Sequence, residues 1–507
     1  MAIVKLKRVR NSFLDVSKLP PEVLGDIFRW NVMFDGDFGR LGERSHNFLL
    51  VCRHWFEVAS CTPEIWSFWG NNLQDWTKRH LLYPTAPLDL VLHGATVCRK
   101  SSINDSIRSA LQDHAARDAI RKVHLTAANS ELLDSIISPL AGDYEEARPS
   151  NVESIILVDE SEDSSVDVSD FFAYYRFPKL YRLELDNCTI SSWDLMMSRT
   201  SVLTTLLLGF TYPSPAPTTP ELLSIISSNP SLQKLTVFGY AVPEDGGGGS
   251  SHRVSLHHLK ELELVGESGG IFGLLRRLEH PGDMDRLDIV LVLCTVDDIR
   301  EFIQPYLRGY LWRRERSQSG LGLDISWEGR IKFCVGDVGG VDFSAPGSAW
   351  MNNFVEVVIH LDDIPPRDVL DEVFLDLIAA ARPEEVAYFK AYDVPISTRD
   401  LSTQFPSLRA LHLEGTPLHV AFPEPTAENE KMALPSLERI TLDQVPVRRG
   451  NWSPLTTFLT HRASSGYLLD VLEIYSPRIL RSGVEEIIRG VVREFRMRDS
   501  EVETIIA

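Results

Sequence analysis

The chain has 507 residues and a formal net charge of −20, with 44% hydrophobic and 24% charged residues. A chain of this length is too long for one compact core, so we expect several domains or an elongated repeat architecture. The acidic balance argues against nucleic-acid or anionic-membrane binding across the general surface, and the composition is that of an ordinary globular protein.

The cysteines indicate a reducing compartment, because the sequence contains no Cys-x-x-Cys pair that would suggest a disulfide framework or a zinc site. They are Cys52, Cys61, Cys98, Cys188, Cys294 and Cys334. No apolar run is long enough to span a membrane, and the first residues lack the apolar core of a signal peptide. We therefore expect an intracellular protein, cytoplasmic or nuclear or both, that needs no metal or cofactor.

Residues 1–15 are predicted to form a flexible basic arm, and residues 16–68 to form a small helical domain. The first helix begins near Pro20 or Pro21, where a missing N–H costs little. Apolar residues at helical spacing form one side of each of two helices: Val23, Leu24, Ile27 and Phe28 in the first, and Leu50, Val51, Trp55, Val58 and Ala59 in the second. So short a segment must pack against the chain after it or against a partner.

Three blocks of this segment occur in order: Leu19-Pro20-Pro21-Glu22, then Val51-Cys52-Arg53-His54-Trp55, then Pro63-Glu64-Ile65-Trp66. Together they resemble an F-box, with a longer polar insert at Asp35–Asn47 between the helices. F-box proteins dock this module onto the Skp-family adaptor of cullin-RING ubiquitin ligases. The resemblance implies adaptor contacts by Leu19, Pro20, Val23, Leu24, Ile27, Val51, Cys52 and Trp55. The residues alone leave open a proline-capped helix with Trp55 as an ordinary core residue.

A linking helix is predicted over residues 69–85, and residues 86–476 contain a repeated phrase, Leu-x-x-Leu-x-Leu. The clearest copies begin at Leu180, Leu232, Leu259, Leu408 and Leu437. Weaker copies centre on the pairs Val123/Leu125, Ile155/Leu157, Leu206/Leu208, Leu287/Ile289, Leu323/Ile325, Val357/Ile359, Val386/Tyr388 and Leu472/Ile474. Helical segments are expected between them at Ile103–Arg117, Pro220–Ser228, Ile271–Leu278, Val296–Leu311 and Val369–Ala381.

The phrase resembles the strand signature of leucine-rich repeats. That resemblance implies an α/β fold: a curved parallel solenoid with outer helices, all strands running the same way, preceded by the all-helical F-box module. Residues 477–507 are predicted to be a helical cap that contains an amphipathic helix, Val484–Phe495.

The consensus leucines should point inward, so the residues between them should face outward and contact a substrate. These positions are Arg182, Glu184, Lys234, Thr236, Glu261, Glu263, Ala410, His412, Arg439 and Thr441. Their mixed charge suggests a polar protein ligand, although each of them taken singly is better explained as a solvated surface residue than as an essential one.

One stretch, Gly266-Glu267-Ser268-Gly269-Gly270, matches the Gly-x-Ser-x-Gly nucleophile elbow of hydrolases. Ser268 would then be the nucleophile, with Asp342 or Asp362 as the acid and His412 or His461 as the base. However, every leucine-rich repeat supplies a strand, a turn and a helix, and no His-Gly-Gly-Gly motif precedes this serine. We interpret the stretch as a glycine-rich turn of a repeat.

The sequence as a whole predicts a non-catalytic substrate-recognition subunit of an SCF-type cullin-RING ubiquitin ligase. The F-box would bind the Skp-family adaptor, and through it cullin, while the leucine-rich repeats hold a protein substrate. No nucleic-acid or membrane partner is expected. The alternatives are a leucine-rich-repeat scaffold without ligase association and, much less favoured, a serine hydrolase that uses Ser268.

Overall fold

A computed structural model describes the chain in separate ranges, and statements below concern these residues only. They are residues 18–34, 51–62, 68–69, 87–93, 111, 114–127, 130–141, 148–161, 165–194, 196, 200, 202–210, 217–239, 253–281, 284–313, 321–327, 330–337, 352–361, 366–394, 396–423, 434–447, 451–475 and 482–498. No helix within them combines the length and apolar character needed to cross a bilayer.

The strands of these ranges are numbered in chain order. They are β1 Phe68–Trp69, β2 Leu88–His93, β3 Ile120–Ala127, β4 Arg148–Pro149, β5 Ser154–Asp159, β6 Val166–Asp167, β7 Tyr175–Arg176, β8 Arg182–Asp186, β9 Cys188–Thr189, β10 Thr205–Phe210, β11 Lys234–Gly239, β12 Val254–Ser255, β13 Glu261–Glu267, β14 Leu278–Glu279, β15 Arg286–Cys294, β16 Leu321–Trp327, β17 Ile331–Asp337, β18 Asn352–Leu361, β19 Val386–Tyr392, β20 Ala410–Glu414, β21 Arg439–Asp443, β22 Leu469–Tyr475 and β23 Val492–Arg498.

The helices alternate with these strands along much of the chain. They are α1 Pro21–Phe34, α2 Arg53–Ser60, α3 His114–Ala119, α4 Ser130–Ala141, α5 Ser169–Tyr174, α6 Thr219–Ser227, α7 Ser268–Leu275, α8 Val296–Asp298, α9 Gln304–Arg313, α10 Arg367–Ala379, α11 Thr398–Gln404, α12 Leu418–Ala421, α13 Ser453–Ser464 and α14 Ser482–Val491. A π-helical turn, Ile299–Ile303, joins α8 to α9, and a 3-10 turn, Pro383–Glu385, precedes β19.

The chain divides into two compact units. The first contains residues 1–259 and 273–279, and the second contains residues 260–272 and 280–507. The division falls inside the predicted repeat region, residues 86–476. Both units combine parallel strands with helices, which confirms the predicted α/β class.

In the first unit, parallel strands pair in the order β1, β2, β3, β5, β8, β10 and β11. The register aligns the repeat leucines, so Leu183, Leu206 and Leu235 lie side by side and are all buried. Side chains on a strand alternate between its two faces, which is why residues at spacing two form one continuous apolar layer. The predicted inward direction of these leucines is confirmed.

In the second unit, the strands pair in the order β13, β15, β18, β17, β16, β19, β20, β21, β22 and β23. The same alignment recurs here, because Leu411, Ile440 and Leu472 lie in one buried row. The core of this sheet is therefore also built from the leucine positions of the repeated phrase.

The prediction that all strands run the same way is wrong at β17, which pairs antiparallel with both β16 and β18. Only residues 328–330 separate β16 from β17, and so short a connection joins antiparallel strands, whereas a parallel crossover needs a dozen residues or more. As a result β18, and not β16, lies beside β15. The copies at Leu323/Ile325 and Val357/Ile359 form strands, but they are not consecutive neighbours in the sheet.

The predicted C-terminal helix Val484–Phe495 is correct only in part, because α14 ends at Val491 and β23 follows it directly. Phe495 and Met497 align with the buried Leu472 and Ile474 of β22, so this segment follows the two-residue period of a strand, with Phe495 half-buried and Met497 43% exposed. Pairing with β22 satisfies backbone groups that an uncovered strand edge would leave open.

The remaining predicted helices between strands agree with α6, α7, α8 with α9, and α10 to within a few residues. For Ile103–Arg117, the described part contains Leu111 in a helix and the start of α3. The flexible arm, residues 1–15, lies outside the described residues. So does the linking helix of residues 69–85, apart from Trp69, which belongs to β1.

Candidate interaction surfaces

The first candidate surface lies on α1, the helix that begins at Pro21. Leu24 N–H donates to the Pro20 carbonyl at 3.0 Å, which closes the first turn. Leu24 and Phe28 are buried, whereas Val23 and Ile27 are each 44% exposed and Trp30 is 59% exposed. Residues advance by about 100° on a helix, so the two sets form adjacent stripes, one inward and one outward.

The second helix, α2, repeats this division between a buried and an exposed side. Val58 and Ala59 are buried, while Val51, just before the helix, and Phe56 are 49% and 51% exposed. Cys52 caps the helix, since its Sγ accepts a hydrogen bond from the Trp55 N–H at 3.5 Å. Sulfur is a weak acceptor, so this cap contributes less than a serine or aspartate would.

The buried sides of α1 and α2 pack against each other. The rings of Phe28 and Trp55 lie with centroids 5.0 Å apart at an angle of 59°. Gly25 faces the residues that follow the second helix, because a Cβ at this position would lie 3.1 Å from Thr62 Oγ1. These contacts use the side of α1 that carries Phe28 and Gly25, and Val23 and Ile27 remain exposed.

The structure separates the predicted adaptor-binding residues into two groups. Pro20, Val23, Ile27 and Val51 are exposed, and Leu19, Cys52 and Trp55 are half-buried. All seven side chains are therefore accessible, at least in part, to a partner. Leu24 is fully buried and serves the core of the helix pair. The sequence interpretation placed Val23, Leu24, Ile27 and Phe28 on one side, and the structure resolves that side into two stripes.

Sequence reasoning missed two exposed aromatic residues of this surface, Trp30 and Phe56. The signal for Trp30 was available, because Val23, Ile27 and Trp30 follow the spacing i, i+4, i+7 of one helix face. Phe56 gives no such signal, since α2 has only eight residues and both its sides carry apolar groups. We call the exposed set Val23, Ile27, Trp30, Val51 and Phe56 the N-terminal apolar surface.

The second candidate surface is the polar face of the parallel strands. In the first unit, Arg182 is exposed and donates to Glu184 at 2.7 Å, so these two predicted substrate residues bind each other. Lys234 is half-buried, and Thr236 is only 2% exposed, which leaves its side chain almost no surface for a ligand. The register places Arg182 and Lys234 in one row, with Thr205 between them.

Near the end of β8, the carboxylates of Asp186 and Asp159 and the thiol of Cys188 lie close together. Burial raises the pKa of Asp186, and the neighbouring Asp159 raises it further. Burial likewise raises the pKa of the Cys188 thiol, with added repulsion from both carboxylates, so Cys188 stays an un-ionised, unreactive thiol. Its Sγ donates to the carbonyls of Asp186 and Leu157, so this buried thiol serves the packing between β5 and β8.

In the second unit, Glu261 and Glu263 of β13 lie beside Arg286 and Asp288 of β15, so the predicted residues join a charged row. Ala410 and Thr441 are buried, while His412 and Arg439 are half-buried. Burial and the nearby Lys390 lower the pKa of His412 to about 3, so its imidazole is neutral at physiological pH.

Ser268, the nucleophile of the alternative hydrolase hypothesis, begins helix α7 and is buried. Its hydroxyl donates to Asp298 Oδ2 at 3.1 Å, and the same carboxylate closes the capping box of Thr295. The bonded partner of this serine is thus a helix-capping aspartate. Of the proposed triad partners, Asp342 and Asp362 lie outside the described residues, and His412 and His461 belong to β20 and α13.

No protein-family model matches the chain, and no curated protein matches it in sequence.

Proposed function

We propose that this chain is the substrate receptor of an SCF-type cullin-RING ubiquitin ligase. The N-terminal apolar surface docks the Skp-family adaptor, and the parallel strands form a leucine-rich-repeat solenoid that holds a protein substrate. The observation that carries the proposal is the exposure of Val23 and Ile27 on a helix whose neighbouring stripe is fully buried. This helix starts with the Leu-Pro-Pro-Glu motif that resembles an F-box.

The size of the exposed groups supports a protein partner. Exposed apolar side chains that lie singly are common on protein surfaces, but Val23, Ile27 and Trp30 share one face of α1, and aromatic residues are enriched at interfaces. Val23 and Ile27 are each 44% exposed, so completing the burial of one of them on binding would stabilise a complex by roughly 1 kcal/mol. In protein interfaces a few buried anchor residues supply most of the binding energy.

The repeat architecture is supported by the register of the strands. Leucine positions align across β8, β10 and β11, and again across β20, β21 and β22, as stacked repeats require. In this role the protein does no chemistry itself. It raises the effective concentration of substrate lysines near the conjugating enzyme that the ligase recruits.

Binding of a purified Skp-family adaptor to the full-length chain tests the proposal by titration calorimetry. The double variant Val23→Asp/Ile27→Asp should weaken binding at least 100-fold, because two charges would be buried in an apolar interface. Ile487→Asp is the matched control, since Ile487 is 49% exposed on another helix, α14, and should leave affinity unchanged. Circular dichroism should show equal folding in all three proteins.

A second candidate function, a repeat scaffold without ligase association, is favoured by the polar strand face, which needs no adaptor to bind a ligand. The two are separated by the same titration. A wild-type chain that is folded but does not bind the adaptor would leave the scaffold as the better account.

A further inference from the structure

Three side chains with metal-binding groups meet on one face of β20 and β21. His412 and Glu414 lie two residues apart on β20, so both side chains leave the same side of the strand. Asp443 of β21 is aligned with Glu414 by the strand register. One ligand atom from each of the three residues lies within 4.8 Å of the other two.

One carboxylate oxygen of this group is buried without a hydrogen bond. Asp443 Oδ1 accepts no hydrogen bond within the described residues, although the backbone N–H of Gln444 bonds to the same carboxylate. A buried carboxylate oxygen without a donor is costly unless a cation or water satisfies it, so this oxygen is available to a metal ion.

Other charged groups also lie near the three residues. Lys390 of β19 lies beside His412, and its Nζ is 3.6 Å from Glu414 Oε2, longer than a hydrogen bond. On the other side, Glu473 of β22 holds Arg498 at 2.7 Å. Lys390 is thus the cation that competes most directly, on a flexible stem that can move aside.

We infer that His412, Glu414 and Asp443 form a binding site for a divalent transition-metal ion, with zinc as the best match. One imidazole and two carboxylates match the donors that zinc binds, whereas calcium and magnesium prefer six or more oxygen ligands. The three residues stand on paired strands, so the site is held in place by the sheet. A fourth, open coordination position would accept water or a nitrogen or oxygen atom of a bound molecule.

This site is independent of the proposed adaptor docking and lies on the strand face where His412 and Arg439 were predicted to meet a substrate. A metal there would add a ligand-binding atom to that face. It was missed in the sequence because Glu414 and Asp443 are far apart along the chain, and only the strand register brings them together.

Equilibrium dialysis of the full-length chain against Zn²⁺ tests the inference. We expect wild type to bind one more Zn²⁺ than Asp443→Asn or Glu414→Gln, and Glu184→Gln, a control carboxylate paired with Arg182, to match wild type. Substitution with Co²⁺ should give the visible absorption of a four-coordinate site in wild type and in the control only. Mg²⁺ should not compete at equal concentration.

Lys390→Met provides a test that does not depend on loss of binding. Removal of the competing ammonium should tighten Zn²⁺ binding by about tenfold or more, and should increase the rise in melting temperature that Zn²⁺ produces. Equal zinc content in wild type, Asp443→Asn and Glu414→Gln would overturn the inference. Competition by Mg²⁺ or an unchanged affinity in Lys390→Met would overturn it as well.

Discussion

The N-terminal helices and the parallel strands differ in how far their apolar residues are buried. On β8, β10 and β11 the aligned repeat leucines are fully buried, and the outward positions carry polar groups such as Arg182 and Glu184. On α1, the buried stripe of Leu24 and Phe28 is accompanied by an exposed apolar stripe. In the role that we propose, this exposed stripe is the surface that binds the adaptor.

The largest effect on the free energy of unfolding is expected for a buried leucine of the strands, compared with an exposed apolar residue of α1. Leu206→Ala removes a fully buried side chain from the middle of the leucine row and should lower the free energy of unfolding by about 2–5 kcal/mol. Ile27→Ala removes a similar side chain that is half exposed and should cost about 0.5 kcal/mol or less. Urea unfolding measures both. An equal cost for the two variants would show that Ile27 belongs to the core.

A smaller effect is expected at Gly209, where the strand face is closely packed. A Cβ at this position would lie 2.3 Å from the ring of Phe238 and 2.7 Å from Asp186 Oδ1. Gly209→Ala should therefore destabilise the chain by about 1–3 kcal/mol. The double variant Gly209→Ala/Phe238→Ala should show a favourable coupling, because it removes the ring that clashes. Strictly additive costs would contradict this packing.

The acidic pair Asp186 and Asp159 gives a pH-dependent prediction. Burial and Asp159 raise the pKa of Asp186, so the ionised form is less stable in the folded chain. Its favourable contribution is present below the unfolded pKa of 3.8 and is lost as pH rises through the folded value. Asp186→Asn should hence stabilise the protein at pH 7, by less than about 1 kcal/mol because water screens a partly exposed group.

Thermal unfolding at several pH values tests this. The advantage of Asp186→Asn should shrink as pH falls and should vanish below pH 3.8, where wild-type Asp186 is protonated in both states. An advantage that stays constant from neutral to acidic pH would point to a cause other than charge.

The smallest effect is expected at an exposed ion pair of the strand region. Arg409 donates to both oxygens of Glu438, at 3.0 and 2.9 Å, yet both side chains are about half exposed. Exposed pairs contribute roughly 0–1 kcal/mol, so Arg409→Gln should change the melting temperature only slightly. A loss comparable with that of Leu206→Ala would mean that the polar strand face is more structural than we propose.

Much of the strand architecture was predictable from local sequence, because buried residues two apart, such as Leu183 and Leu185, indicate the two-residue period of a strand. The direction of β17 was not predicted, although Gly329 in a three-residue connection after Trp327 is a hairpin signal. The strand β23 was mistaken for helix because Val491, Val492 and Phe495 continue the helical spacing of Ile487 and Ile488. Local periodicity does not determine which strands pair with each other in the sheet.

The candidate sites differ in the same way. The exposed stripe of α1 follows from helical spacing, so Val23 and Ile27 were predicted, and Leu24 could be recognised as core only from packing. The group of His412, Glu414 and Asp443 depends on the register between two strands. No spacing rule along the chain contains that information.

The most direct test of the central claim is the affinity of the full-length chain for a purified Skp-family adaptor, with and without Val23→Asp/Ile27→Asp. Our account predicts that wild type and Ile487→Asp bind equally, and that the double variant binds at least 100-fold more weakly while its circular dichroism is unchanged. Equal binding by all three proteins, or no binding by a folded wild type, would contradict the account.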